Sequence, residues 1–93
     1  MNMNIYENYS EAEMLEDEIQ MLQEEENLNR LKCMEARAEA EENSVFERKY
    51  FLENNIEKAR EFRELAREAR AEARFLEAKA DIIQKKIDLI KEI

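Results

Sequence analysis

The 93-residue sequence has no glycine, proline, histidine or tryptophan, and a single cysteine. Each absence removes a class of function. Without glycine there is no phosphate-cradling loop and no dinucleotide-binding fingerprint. Without histidine there is no Ser-His-Asp triad, no Cys/His zinc finger and no Glu-x-x-His di-metal motif of a carboxylate bundle. One cysteine, Cys33, forms no disulfide within the chain. It lies near Arg30, Lys32 and Arg37, but with no histidine to activate it the thiol reads as inert. The residues give no catalytic site, metal site or cofactor site, and the expected protein is not an enzyme.

Long apolar runs are also missing, so no membrane span is expected. The start, Met1-Asn2-Met3-Asn4-Ile5-Tyr6-Glu7, has neither the basic region nor the apolar run of a secretory signal. A cytoplasmic protein is the plain expectation. The carboxyl-terminal stretch is amphipathic, yet between residues 75 and 93 four lysines balance four acids, whereas a membrane-surface helix carries basic excess.

What the chain does contain is charge and alanine. Apolar residues make up 44%, but 11 are Ala and only 21 are Ile, Leu, Val or Phe. With abundant Glu, Lys, Arg and Leu and no helix breaker, this is the composition of long helices and coiled coils. The net charge of -9 is uneven. Residues 1 to 29 hold nine acids and no base, whereas residues 30 to 93 hold 15 of each sign. The block Glu11, Glu13, Glu16, Asp17, Glu18, Glu24, Glu25 and Glu26 is a solvated helix face, a partner for basic residues elsewhere in the chain, or an imitation of a nucleic-acid backbone.

Helix starts are legible at Ser10-Glu11-Ala12-Glu13, a capping box with Tyr9 and Met14 placed for a hydrophobic staple, and at Ser44-Val45-Phe46-Glu47. Asn54-Asn55-Ile56-Glu57 is a weaker start. A seven-residue frame can be followed from Leu31 through Ala38, Val45 and Leu52, but Glu41, Arg48 and Asn55 break its second apolar position. From Ala59 the frame is unbroken: Ala59, Phe62, Ala66, Ala69, Ala73, Leu76, Ala80, Ile83, Ile87 and Ile90. Earlier, Ile5, Ala12, Leu15, Ile19 and Leu22 share a face out of register with Leu31 and Met34, so the segment 23–30 is expected to break the helix or shift its seam.

The expected fold is all-α, a single domain over 1–93 forming a long antiparallel helical hairpin or coiled coil. Its first helix spans about 10–42, a turn or short helix about 43–54, and a second helix about 55–92. Phe75, Leu76, Ile82, Ile83, Ile87, Leu89, Ile90 and Ile93 cover an arc of about 160°, wider than one partner helix covers. Two hairpins dimerising into a bundle follow, with the Ala59–Ile90 frame as the oligomer interface.

Two further patterns stand out. Arg60, Arg63, Arg67, Arg70 and Arg74 recur at helical spacing beside a stripe of Glu57, Glu61, Glu64, Glu68 and Glu72. Like charges four residues apart are mildly unfavourable in an isolated helix, so an opposite charge is expected against the arginines, most simply acids of the first helix or of a second subunit. Contact with nucleic-acid phosphates is the alternative; the negative net charge, the interleaved glutamates and the lack of a stacking aromatic argue against it. Phe46, Tyr50 and Phe51, with Leu52, either cap the bundle or form a recognition patch.

No motif identifies a family. The leading expectation is a non-enzymatic protein-protein interaction module, a self-associating coiled coil whose acidic first helix or aromatic cluster engages a partner. The alternative is a small acidic inhibitor of a basic nucleic-acid-binding protein, of the anti-CRISPR or anti-restriction kind. Direct nucleic-acid binding through the arginine stripe ranks third.

Overall fold

The computed structural model describes residues 10–93. It contains two helices, α1 (Glu11–Leu52) and α2 (Ile56–Lys91), packed as a hairpin, with no strand among the described residues. At about 1.5 Å per residue they are roughly 63 and 54 Å long. Ser10 caps α1, its Oγ accepting from the Glu13 amide at 3.1 Å. Tyr9, the other half of the expected staple, lies outside the described residues, as do Ile5 and Glu7.

α1 ends ten residues beyond the expected 42, and the segment 43–52 is helical rather than a turn. The turn is Glu53-Asn54-Asn55. Asn54 occupies the left-handed region, φ 59°. With no glycine in the chain, asparagine is the residue that takes this conformation at least cost. The Asn55 amide donates to the Tyr50 carbonyl at 2.8 Å and the Asn54 amide to that of Phe51 at 3.1 Å. These are the two hydrogen bonds of a Schellman motif. Asn55 then caps α2, its side-chain oxygen accepting from the Lys58 amide at 3.3 Å. The weaker start in sequence is the real one, because Ser44 has been absorbed into α1.

The buried residues define the seam. On α2 they are Ala59, Ala66, Ala69, Ala73, Leu76, Ala80, Ile83 and Ile87, with Phe62 and Ile90 half-buried, as the frame over 59–90 requires. On α1 the seam runs through half-buried Leu15, Ile19 and Leu22, then buried Glu26, Asn29, Cys33, Ala36 and Ala40, then half-buried Asn43, Glu47 and Tyr50. The spacing alternates three and four throughout, so the Leu15–Leu22 stripe continues without the break expected at 23–30. The competing frame is overturned: Leu31, Met34, Ala38, Glu41, Val45, Arg48, Leu52 and Asn55 are all exposed. Cys33 and Ala36 cluster with Ala73 and Leu76, and the Cys33 thiol donates to the Ala73 carbonyl at 3.2 Å.

Two polar side chains interrupt the α1 seam. Glu26 is buried and accepts from Arg30 Nε at 3.1 Å and Nη2 at 2.8 Å. Asn29 donates through Nδ2 to the Glu25 carbonyl at 2.8 Å. Among the described residues no buried side-chain nitrogen or oxygen lacks a partner. Satisfied in this way, the two groups cost the seam apolar area but leave no orphaned charge.

Candidate interaction surfaces

Cross-helix contacts distinguish the two edges of the seam. At one edge, Arg30 Nη2 meets Asp81 at 3.3 Å, Arg37 Nη2 meets Glu77 at 2.6 Å, and Arg70 Nη2 donates to Ser44 Oγ at 2.6 Å. Hydrogen bonding to Glu26, then to Asp81, raises the Arg30 guanidinium above its ordinary value. At the other edge, Phe62 stacks on Phe46 with ring centres 5.1 Å apart and on Tyr50 at 5.4 Å, and the Lys58 ammonium stands 5.0 Å from the Tyr50 ring centre. Phe46 and Tyr50 therefore close the turn end of the hairpin. Phe51 and Leu52 remain exposed.

The arginine stripe is not matched by acids of α1. Only Arg70 has a hydrogen bond to α1 among the described residues, and its acceptor is a hydroxyl. Arg67 approaches Glu64 of its own helix at 3.4 Å. Geometry explains the outcome. Cys33 stands level with Ala73, so the acidic start of α1 lies against the far end of α2, away from Arg60–Arg74. Glu11, Glu13, Glu16, Asp17, Glu18, Glu24 and Glu25 are exposed, and Glu26 alone of this block turns inward.

Arginines from both helices instead share one surface. A groove of about 530 Å³ along the seam edge is lined by Ser44, Glu47, Arg48, Phe51, Arg63 and Arg70. It adjoins a second hollow between Arg63, Arg67, Arg70 and Arg74, while Arg60 flanks Phe51 on the turn side. Sequence reasoning missed the α1 contribution, although Ser44, Arg48 and Phe51 stand at helical spacing of four and three. Placing a turn at 43–54 concealed it.

The apolar residues expected to form an oligomer interface, Ala59 to Ile90, lie in the seam between the two helices of one chain. The excess of the apolar arc faces outward. Phe75 is 66% exposed, Ile82 55% and Leu89 62%, a stripe at intervals of seven residues. Ala71 precedes Phe75, Ala78 falls between Phe75 and Ile82, Lys85 takes the matching place before Leu89, and Ile93 follows, all exposed. By helical phase, exposed Met14, Met21 and Leu28 of α1 flank the same side.

The fold and these surfaces define a two-helix antiparallel hairpin with segregated apolar, acidic and arginine-rich faces. Comparison with protein-family models, curated proteins and solved structures returns no match. Among the described residues no helix is long and apolar enough to cross a membrane, and no group of three or more His, Cys, Asp or Glu stands placed to hold a metal ion.

Proposed function

We propose that this protein is a non-enzymatic interaction module, a helical coiled coil that self-associates through the outer stripe of α2. The observation that carries this reading is the exposed row Phe75, Ile82 and Leu89, with Ala71 before it, Ala78 between Phe75 and Ile82, and Lys85 at the matching place before Leu89. From Ala71 to Ile82 its spacing repeats that of the buried seam, so it accepts another helix by the same packing. The row is also self-complementary. A two-fold axis through Ile82 sets Phe75 against Leu89 of the partner subunit, which makes a second copy the natural occupant.

Light scattering on the purified chain at micromolar concentration tests this. The intact protein is expected to be a dimer and Ile82→Asp a helical monomer. Ile83→Asp, one residue away but inside the intrachain seam, is expected to lose helicity instead. A monomeric wild type, or an Ile82→Asp variant that remains dimeric, would refute the assignment.

A second reading is favoured by the exposed acids. Glu11, Glu13, Glu16, Asp17, Glu18, Glu24 and Glu25 surround the start of α1, leaving a rod end that could enter the basic groove of a nucleic-acid-binding protein, as an inhibitor of the anti-CRISPR or anti-restriction kind does. Replacing Glu11, Glu18 and Glu25 by Lys would then abolish capture of such a partner while preserving the dimer, and capture would weaken steeply with salt.

A further inference from the structure

The edge of the hairpin opposite the aromatic stack carries a chemistry that self-association does not use. Every arginine of α2, Arg60, Arg63, Arg67, Arg70 and Arg74, lies on it, whereas the lysines of α2 occupy other positions of the helix. Such segregation matters because guanidinium grips an oxyanion through a planar, two-pronged set of donors, while ammonium acts as a point charge. α1 adds Arg48, the Ser44 hydroxyl and Phe51, whose ring is 61% exposed on the wall of the groove. Glu47 lines the same groove, and Arg67 has Glu64 beside it, yet six arginines leave the local balance positive. The acidic excess of the chain sits at the opposite end of the rod.

We propose that this surface binds the phosphodiester backbone of a single-stranded nucleic acid, with one base stacked on Phe51. Arginines along a groove with an exposed aromatic ring are the elements by which proteins hold single strands without reading sequence. From Arg60 to Arg74 the row covers about 21 Å of helix, room for roughly three or four phosphates of an extended strand. The aromatic that the sequence pattern lacked is supplied from α1, because that helix runs past residue 43 and brings Phe51 to the turn end of the row. A carboxylate-rich protein segment could satisfy the arginines but leaves the Phe51 ring without a stacking partner, so the nucleic acid is the better fit.

Fluorescence anisotropy with a labelled oligothymidylate of about 20 nucleotides, at roughly 20 to 200 mM salt, tests the assignment. With three or four phosphates neutralised, affinity should fall about 20- to 50-fold between roughly 50 and 200 mM salt. Arg67→Glu/Arg70→Glu, both exposed, should retain helicity and weaken binding by about tenfold or more. Phe51→Ala should weaken it about 5- to 100-fold, a loss that charge alone does not produce. Ile82→Asp, on another face, should bind as the parent does per chain. No binding at the lowest salt, or arginine variants that bind like the parent, would overturn the proposal. So would wild-type affinity in Phe51→Ala, or preferential binding of inorganic polyphosphate or of a peptide of residues 10–29 over the oligonucleotide.

Discussion

Replacing Ile87 by alanine tests the seam most directly. Ile87 is fully buried (0% exposed) and, in the antiparallel register fixed by Cys33 against Ala73, stands level with Ile19. Truncating a buried Ile removes its transfer free energy and leaves a void, a loss of about 2 to 4 kcal/mol. An 84-residue ordered segment has a total stability of roughly 4 to 12 kcal/mol. The variant therefore loses a large part of it. For a domain of this size the melting temperature should drop roughly 10 to 25 °C, measured by circular dichroism at fixed protein concentration. The control is Leu89→Ala, two residues away on the outer stripe. In a monomeric hairpin it should change stability by less than about 0.5 kcal/mol; in a dimer its effect should shrink on dilution. Equal, concentration-independent losses for Ile87→Ala and Leu89→Ala would mean that the buried and outer faces of α2 are assigned the wrong way round.

Asn54 offers a test of the turn. Asn54→Ala should cost about 1 kcal/mol in urea unfolding because a Cβ without a polar side chain is disfavoured at positive φ, and Asn54→Gly should match or exceed the parent. Equal stability of Ala and Gly at this position would refute the left-handed assignment. At the polar break in the seam, Glu26→Leu should preserve or raise stability, since the Glu26 carboxylate is buried against a half-exposed Arg30 and apolar packing often outperforms a buried charge. Arg30→Ala should lower it by leaving Glu26 buried without its bonded partner, and the opposite order of the two variants in thermal melts would show that Glu26 is not enclosed.

The second half of the fold was legible because its seam residues are also its periodic apolar residues. Ile83, Ile87 and Ile90 combine with well-spaced alanines, so side-chain size and position point the same way. In α1 they conflict. From residue 26 onward its seam positions include Glu26, Asn29, Cys33, Asn43 and Glu47, while Leu31, Met34 and Val45 lie outside. A reading that follows large apolar side chains selects the wrong face. The same error moved the turn, since the broken frame at Glu41, Arg48 and Asn55 mimics a loss of helix. Local capping strength also misled: Ser44-x-x-Glu47 outranks Asn54-Asn55 as a start, but a position inside a packed helix overrides it. The arginine row could be read from spacing alone. Its companions Ser44, Arg48 and Phe51 could not, because they join it only once α1 continues to Leu52.

The composition of the seam bears on why the hairpin should associate at all. Of the eleven buried apolar residues, seven are Ala and one is Cys; only Leu76, Ile83 and Ile87 are larger. Each alanine removes little area from water, so close approach of the helices substitutes poorly for bulk. Meanwhile fourteen larger apolar side chains stand exposed among the described residues, against three inside. On the proposed self-association, such a rod gains more by covering its outer stripe than by improving its seam, and folding would be coupled to association. Its melting temperature should therefore rise with protein concentration. A value constant over about a hundredfold range would show that the alanine seam, the aromatic stack of Phe46, Tyr50 and Phe62, and the cross-helix pairs Arg30–Asp81 and Arg37–Glu77 hold the hairpin unaided, and the outer stripe would then have to be explained by a partner other than a second copy.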